Sequence, residues 1–425
     1  MTPQVKSYSN GKPTNPQDVR LSTRLDDLRL DWTEKQLPER IRTKHVHRLH
    51  PYLGKYIPQL VEVFLRKFFK KGQTVLDPFC GSGTTLVQAN ELGINSIGYD
   101  VSAFNVLLSE VKTAKYEVRE ARTEIADILN KTKTILRKEN NQGSLWVGET
   151  PSEGISADVD MKYLTRWFAP KALDHLLTYR KLIESEGYQY KNLLKVILCR
   201  SARSARLTTH FDLDFPKEPQ TKPYWCYKHS RECSPTEDAF KFIDRYSMDT
   251  AIRIEEFSKL RTSSSVSIFH EDSTAAKFSK NDGVITSPPY VGLIDYHEQH
   301  AYAYALLGLH DKRGQEIGPA SNGSSQKAQL KYKIDIAEVF RRALETLSKD
   351  GRLIVVANDK ANLYEDIAKE LGVGVEGIVQ RHVNRRTGRR FNEFYESIFI
   401  WRLKKVVSRK SSESWTPKRK ETVNA

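Results

Sequence analysis

The fold of this chain is decided by the stretch Thr74-Val75-Leu76-Asp77-Pro78-Phe79-Cys80-Gly81-Ser82-Gly83-Thr84-Thr85. Its apolar start predicts a short buried strand, its two glycines predict a tight turn, and the residues from Thr84 to Glu91 predict a helix that ends at Gly93. The next run, Asn95 to Asp100, predicts a second strand that also ends in an acid. A strand, a helix and a strand in this order form a βαβ unit, which implies a parallel sheet.

The α/β pattern is interrupted and later resumes. Residues 113–265 predict mainly helices, at 117–138, 161–184, 190–205 and 235–261, around an aperiodic segment at 208–235. Further strands are predicted at 266–269, 283–286, 351–358 and 394–403, helices at 300–307, 332–347 and 363–371, and a mobile loop at 308–331. We therefore expect an α/β fold, a doubly wound sheet with a long, mainly helical insertion.

The composition favours a globular protein with a polyanionic partner. Its 425 residues carry 68 Lys and Arg against 53 Asp and Glu, a formal net charge of +15, and a surplus of this size suits binding to nucleic acid. Four cysteines are too few for a disulfide scaffold. No apolar stretch approaches the ~20 residues of a membrane span, and the segment from Met1 to Arg20 lacks the apolar core of a signal peptide. We therefore expect a cytoplasmic protein without membrane association.

The glycine-rich turn suits a ligand that approaches the backbone closely. Gly81 and Gly83 permit this approach, but the lysine of a phosphate-binding loop and the third glycine of a dinucleotide-binding turn are absent. Asp77 would repel a pyrophosphate and suits a ligand with an amino group and a sulfonium, as in S-adenosylmethionine. Asp100 is placed to accept from ribose hydroxyls, and Asp272, at the end of another strand, from an adenine amino group. The alternatives are a purely structural turn for the glycines and a surface acid for Asp272.

A second unusual strand end is Ser287-Pro288-Pro289-Tyr290, which follows the predicted strand at 283–286. Two consecutive prolines remove two backbone donors and force an extended path. The Ser287 hydroxyl and the Pro288 carbonyl can then accept from the N–H groups of an exocyclic amine, and Tyr290 can stack on a base. The alternative is a turn or a polyproline ligand, which is disfavoured because a buried strand directly precedes the motif.

Together the two motifs resemble those of the amino-methyltransferases of DNA. Members of this family carry an Asp-Pro-Phe-x-Gly-Ser-Gly-Thr loop for S-adenosylmethionine and a Ser/Asp/Asn-Pro-Pro-Tyr/Phe/Trp catalytic loop. The resemblance implies cofactor-binding roles for Asp77, Phe79, Gly81, Gly83, Thr84 and Asp100, and catalytic roles for Ser287, Pro288, Pro289 and Tyr290. Residues 47–58 are similar to the segment that precedes the cofactor loop, and borders the cofactor, in many members.

The resemblance also implies how the chain is divided. A Rossmann-like, S-adenosylmethionine-dependent methyltransferase core would comprise residues 41–112 and 266–403, with a polar N-terminal segment at 1–40, a target-recognition insertion at 113–265 and a basic disordered tail at 404–425.

The implied partner is double-stranded DNA. The cluster from Arg203 to Arg206 would take part in target recognition, and the cluster from Arg381 to Arg390 would hold the DNA backbone. A base in a duplex must be flipped out of the stack to reach such a pocket.

The first residue of the catalytic motif carries information about the target base. Ser is commonest there among N4-cytosine enzymes, and Asp or Asn among N6-adenine enzymes, so Ser287 predicts a site-specific cytosine-N4 DNA methyltransferase. Many such enzymes protect host DNA from a restriction endonuclease, which would be the partner protein. N6 of adenine in DNA, N2 of guanine in RNA and a protein glutamine stay open as targets. A non-catalytic DNA-binding component is also open, although the intact motif argues against it.

A weaker pattern is Cys226-Tyr227-Lys228-His229-Ser230-Arg231-Glu232-Cys233. It offers three side chains that bind zinc in other proteins, and His210 adds a fourth, but it lacks the two ligand pairs at standard spacing that mark common zinc sites. We therefore expect these side chains to pack without a metal.

Cys80 has no basic neighbour in the sequence, and we expect it to be a wall residue of the cofactor site and not a nucleophile.

Overall fold

The computed structural model describes residues 12–142, 159–210, 212–383 and 394–404. In these ranges the strands are β1 (Thr74–Asp77), β2 (Asn95–Asp100), β3 (Tyr224–Cys226), β4 (Arg231–Cys233), β5 (Val266–His270), β6 (Gly283–Thr286), β7 (Leu353–Ala357), β8 (Gly374–Val383) and β9 (Phe394–Arg402). β3 and β4 form a separate hairpin, and the other strands form one sheet in the order β5-β2-β1-β6-β7-β9-β8. The first five of these are parallel, whereas β9 runs antiparallel between β7 and β8. The predicted α/β sheet is therefore confirmed.

The helices in the described ranges are α1 (Glu39–Arg42), α2 (Pro58–Phe68), α3 (Thr84–Glu91), α4 (Ala103–Thr113), α5 (Val118–Gln142), α6 (Met161–Trp167), α7 (Pro170–Ser185), α8 (Lys191–Ala205), α9 (Phe240–Ser258), α10 (Tyr296–Gln299), α11 (Ala301–Leu307), α12 (Gln326–Glu345) and α13 (Leu363–Glu370). None of them has the length and apolar character needed to span a lipid bilayer.

Several predicted boundaries were wrong for identifiable reasons. The helix predicted at 161–184 is two helices, because Pro170 has no N–H to continue α6 and instead begins α7. The helix predicted at 332–347 begins at Gln326, where the Ser325 hydroxyl accepts from a backbone N–H of the first turn. The hairpin of β3 and β4 lies in the segment 208–235, and β8 was not predicted because its exposed edge position leaves no clear apolar alternation.

Neighbouring residues of each central strand are buried on opposite faces of the sheet, because strand side chains alternate in direction. Leu76 and Val284 pack with α12 and α13 on one face, whereas Val75 and Ile285 pack with α2 on the other. The second face is also covered by the N-terminal residues Val19, Leu28, Leu30 and Trp32. Part of the segment predicted as polar therefore belongs to the core.

The insertion shares a hydrophobic core with helices of the sheet. One buried cluster joins Phe104 and Leu108 of α4 to Leu194 and Ile197 of α8 and to Leu306 of α11. Helices α5, α7 and α9 contribute to the same cluster. The insertion is therefore anchored against α4, which begins directly after β2.

Two predicted features lie largely outside the described residues. They are the basic tail beyond Lys404 and the part of the arginine cluster beyond Val383.

Replacing Ile285 with alanine is expected to lower the free energy of unfolding by about 2–5 kcal/mol, because truncation of this fully buried side chain in β6 leaves a cavity. The matched control is Leu330→Ala on α12, whose side chain is 55% exposed and whose truncation should matter by no more than about 0.5 kcal/mol. Denaturant unfolding measures both variants. Equal losses would contradict this placement of the core.

Candidate functional site

A cavity lies at the carboxyl edge of the sheet, where β1, β2, β5 and β6 end. Open α/β sheets bind their ligands at this edge. The space between its walls, including the open mouth, is about 750 Å³. The predicted site residues that line it are Phe79, Gly81, Thr84, Asp100, Asp272, Ser287 and Pro289, whereas Asp77, Gly83, Pro288 and Tyr290 do not line it.

Asp100 is held in place by protein donors and still faces the cavity. Its Oδ2 accepts from the backbone N–H of Gly81 (2.8 Å), and its Oδ1 accepts from the N–H of Ser102 (2.9 Å) and from Nδ2 of Asn105 (3.0 Å). Burial raises the pKa of the Asp100 carboxyl to about 6, although these hydrogen bonds oppose the increase. Because an ionised carboxylate has about four acceptor sites, Oδ2 retains capacity for a ligand hydroxyl.

Helix α4 sets the shape of the glycine-rich turn. The Ser109 hydroxyl donates to the carbonyl of Gly81 (2.8 Å), and Nζ of the buried Lys112 donates to the carbonyl of Ser82 (2.9 Å). Gly83 has a φ of +77°, and a Cβ at this position would lie 2.9 Å from Oγ of Ser109. Gly83 therefore permits close packing of the turn against α4, whereas Gly81, with a φ of +51°, lines the cavity.

The Asp77 carboxylate ties the end of β1 to the end of β6. It accepts from the hydroxyls of Thr85, Thr286 (2.7 Å) and Tyr56 (3.1 Å) and from the backbone N–H of Phe79 (3.2 Å). Burial raises its pKa, and these four donors oppose that increase. Asp77 is 1% exposed and does not line the cavity, so its carboxylate lies beneath the turn, and the ligand contact predicted for it stays a prediction.

The Ser-Pro-Pro-Tyr loop has one side on the cavity and one side in the protein. Ser287 and Pro289 line the cavity, whereas the Tyr290 ring packs against the core on the α12 face. The Tyr290 hydroxyl donates to Oε1 of Glu396 (3.4 Å), and Oε2 of Glu396 accepts from Nη1 of the buried Arg381 (2.9 Å). Burial and the charge of Glu396 raise the pKa of Tyr290, so its hydroxyl stays a donor.

Lys55 is a cavity residue that we did not single out, although it lies within the segment 47–58 that resembles a cofactor-bordering region. Its Nζ donates to the carbonyl of His47 (3.0 Å). Burial lowers the pKa of the Lys55 amine to about 8. A partly desolvated cation at the cavity wall is suited to an anionic ligand group.

Glu316 is a second cavity residue that the sequence did not reveal. It accepts from the backbone N–H groups of Tyr296 (3.3 Å) and His297 (2.8 Å) at the start of α10. These bonds tie the loop at 308–331 to α10 and oppose the mobility predicted for it. No local pattern marks a loop acid of this kind, because it acquires its neighbours only in the folded chain.

The arginines of α8 and its end are turned into the protein. Arg203 pairs with Asp214, and its Nε donates to Oδ1 of that residue (3.2 Å). Arg206 is 3% exposed and stacks on the Tyr302 ring at 4.5 Å. Each of these two guanidinium groups therefore has an internal partner, and the role in target recognition predicted for the cluster from Arg203 to Arg206 stays a prediction.

The chain is similar to known proteins over most of its length. A family model described as DNA methylase matches residues 4–110. The type II methyltransferase M.MjaII of Methanocaldococcus jannaschii is 38% identical in an alignment that covers 88% of this chain and 83% of that protein. The type II methyltransferase M.BsoBI of Geobacillus stearothermophilus is 26% identical, and the match covers 69% of this chain and 58% of that protein. Among solved structures, TrmN from Thermus thermophilus is 11% identical to this chain with a TM-score of 0.31. The match covers 83% of this chain and 50% of the TrmN chain.

The geometry of Asp100 predicts a pH-dependent affinity for S-adenosylmethionine. Because the raised pKa of this carboxyl is about 6, lowering the pH through that value protonates it, removes an ionised acceptor and weakens binding. Asp100→Asn should bind about 10-fold or more weakly at neutral pH and lose this pH dependence. Calorimetric titration measures both effects, with Asp350→Asn, an exposed acid, as the control. A wild-type pH profile in Asp100→Asn would contradict this role.

The buried pair of Arg381 and Glu396 predicts a strong energetic coupling. Glu396→Ala is expected to lower the free energy of unfolding by about 3–5 kcal/mol, because it leaves the Arg381 charge buried without its partner. The double variant with Arg381→Ala should lose less than the sum of the single losses. Denaturant unfolding measures the cycle, and Glu345→Ala, at an exposed position of α12, should be nearly neutral. Strictly additive losses would disprove the coupling.

Proposed function

We propose that this chain, which belongs to the type II amino-methyltransferases of DNA, methylates the exocyclic N4 amine of cytosine in double-stranded DNA. The methyl donor is S-adenosylmethionine, which supplies a methyl group bonded to a positively charged sulfur. The cytosine assignment rests on Ser287 at the first position of the catalytic motif.

One observation carries the proposal. Ser287 and Pro289, at the end of β6, line the same cavity as Gly81 and Asp100, at the ends of β1 and β2. The end of the Ser-Pro-Pro-Tyr loop and the residues that suit a nucleoside therefore border one cavity.

The two acidic residues and the lysine of the cavity wall fit the polar groups of S-adenosylmethionine. Asp100 would accept from the ribose hydroxyls, and Lys55 would bind the carboxylate. Asp272 uses Oδ1 to accept from the N–H and the hydroxyl of Thr274 (both 2.8 Å), and its Oδ2 would accept from the adenine amino group. Phe79, Gly81 and Thr84 would form the wall between these polar groups.

Catalysis would depend on acceptors and on position. The exocyclic amine is a poor nucleophile because its lone pair is delocalised into the ring, and it acquires positive charge as it reacts. The Ser287 hydroxyl and the Pro288 carbonyl would accept from its two N–H bonds and stabilise that charge, with the direction of the carbonyl fixed in advance by the prolines. Tyr290, whose ring packs on the core side of the loop and does not line the cavity, would hold the loop in place through Glu396 and would not stack on the base. Once methylated, the amine would carry a full positive charge and would lose its extra proton to water, so the step would need positioning more than a strong general base.

For the DNA interface we propose a different part of the insertion from the α8 arginines. The segment around the hairpin of β3 and β4 exposes Lys217, Lys222, Lys228 and Arg231, together with the rings of Trp225 (57% exposed) and Tyr227 (78% exposed). Cations of this kind bind phosphates, and exposed rings stack on bases. The insertion thus remains our proposed target-recognition region.

A restriction endonuclease acting on the same DNA site would be the partner, and a cytoplasmic location would give access to host DNA.

Nucleoside analysis tests the proposed target. Duplex DNA and, in a parallel reaction, RNA are incubated with isotopically labelled S-adenosylmethionine and digested, and the labelled nucleoside is identified by mass spectrometry. We expect N4-methylcytosine. Label in N6-methyladenine would replace cytosine by adenine as the target, and label in N2-methylguanosine of RNA with none in DNA would overturn the DNA assignment.

Ser287→Ala tests the mechanism. Loss of one preorganised acceptor is expected to lower the methylation rate about 100-fold, while the affinity for S-adenosylmethionine stays near that of the wild type. The matched control is Ser279→Ala, which removes a hydroxyl at an exposed position before β6 and should retain the wild-type rate. A wild-type rate in Ser287→Ala would contradict the mechanism.

A further inference from the structure

Two cysteines and two histidines lie together at the hairpin of β3 and β4. They are His210, Cys226, His229 and Cys233, and one ligand atom from each lies within 4.8 Å of all the others. We propose that these four side chains bind one zinc ion, which holds the hairpin in place. This proposal departs from the packing without a metal that the sequence favours, and it does not depend on the methylation reaction.

The distances between the ligand atoms match those around a tetrahedral zinc ion. Sγ of Cys226 lies 3.4 Å from Nδ1 of His210 and 3.6 Å from Nδ1 of His229, and Sγ of Cys233 lies 3.5 Å from the same nitrogen of His229. Bonds of about 2.3 Å to sulfur and 2.0–2.1 Å to nitrogen at tetrahedral angles place sulfur and nitrogen roughly 3.6 Å apart. Each recorded sulfur–nitrogen distance is close to this value.

Hydrogen bonds alone account for these contacts less well. Nδ1 of a neutral imidazole carries either one proton or one lone pair, yet Nδ1 of His229 contacts the sulfurs of Cys226 and Cys233. Sγ of Cys226 in turn contacts nitrogens of two histidines. One central cation would account for all of these contacts.

Tyr224 is the competing partner of His210. Its hydroxyl lies 2.8 Å from Nδ1 of His210 and also accepts from the backbone N–H of that residue (3.0 Å). With zinc on Nδ1, the lone pair of this nitrogen would go to the metal, and the hydroxyl would keep the bond from the backbone. Tyr224 would then hold His210 against the hairpin.

The hairpin needs a stabilising element of this kind. β3 and β4 have three residues each and pair only with each other, and an isolated two-stranded hairpin is at best marginally stable in water. Trp225 and Tyr227 are exposed and contribute little burial, whereas Cys226 is fully buried. A metal that joins both strands and His210 would supply the missing stability.

The ligand set identifies zinc and a structural role. Two thiolates and two imidazoles suit zinc, whereas magnesium and calcium prefer oxygen ligands. Four protein ligands leave no open position for a substrate or a water molecule. The fourth ligand, His210, precedes Cys226 by 16 residues, so the regular spacing of sequence motifs is absent although the ligands meet in space.

A second group of potential metal ligands in the described ranges lacks the soft cysteine ligands of the hairpin site. His45, His47 and Glu91 are also close together, but Glu91 pairs with Lys44 (2.7 Å) and with His45 (2.9 Å). Nε2 of His47 lies 3.2 Å from Oε1 of Gln88. The carboxylate charge of this group is thus already matched by neighbouring residues.

Metal analysis of the purified full-length protein tests the proposal. We expect one zinc per chain after dialysis, and loss of nearly all of it in Cys226→Ser and Cys233→Ser. The matched controls are Cys199→Ser, which removes a buried thiol of α8, and Lys228→Ala, which alters the hairpin turn without removing a ligand. Both should retain one zinc per chain.

Cobalt substitution of the wild-type protein supplies a second measurement, which needs no variant to fold. Cobalt bound by two thiolates and two imidazoles should show the visible absorption bands of a tetrahedral site and thiolate-to-cobalt charge transfer. Folded wild-type protein without stoichiometric metal would overturn the proposal, as would a Cys226–Cys233 disulfide in a thiol count or zinc retained by both cysteine variants. Loss of methylation with one zinc per chain would count against the proposed function and not against the zinc site.

Discussion

The buried carboxylate of Asp77 is the interaction on which the site depends most. A charge removed from water needs hydrogen-bond donors in compensation, and here the donors come from the helix after β1, from the end of β6 and from Tyr56. Meeting that requirement fixes the ends of β1 and β6 side by side. The cofactor turn and the Ser-Pro-Pro-Tyr loop begin at those two ends, so one buried group sets the relation between them.

Each loop is then supported from a different part of the chain. Ser109 and Lys112 of α4 hold the glycine-rich turn through its carbonyls. The Ser-Pro-Pro-Tyr loop is supported by Glu396 and Arg381, which face each other across β9 and β8. The antiparallel end of the sheet is thus connected, through Tyr290, to the loop whose Ser287 and Pro289 line the cavity, and supporting side chains on strands hold a loop more firmly than loop residues would.

The insertion combines two kinds of stabilisation. Its helices are fixed by apolar packing against α4 and α11, and its arginines on α8 are used in internal pairs. The hairpin of β3 and β4 has little apolar burial. The proposed zinc ion, bound by two cysteines and two histidines, would fix it in place. The exposed cations and rings that would meet DNA are therefore carried by the part of the insertion that depends least on the hydrophobic core.

Local patterns in the sequence predicted most of the strands and helices, the two loops and several of the residues that line the cavity, because these features follow from apolar periodicity, from glycines at a turn and from prolines after a strand. Contacts that form only in the folded chain place Asp77 beneath the turn, bring Glu316 and Lys55 to the cavity and turn Arg203 and Arg206 inward. They also bring His210 to Cys226, His229 and Cys233. Each of these outcomes depends on contacts between residues distant in the chain, and the burial and partners of a charged or polar side chain follow from those contacts.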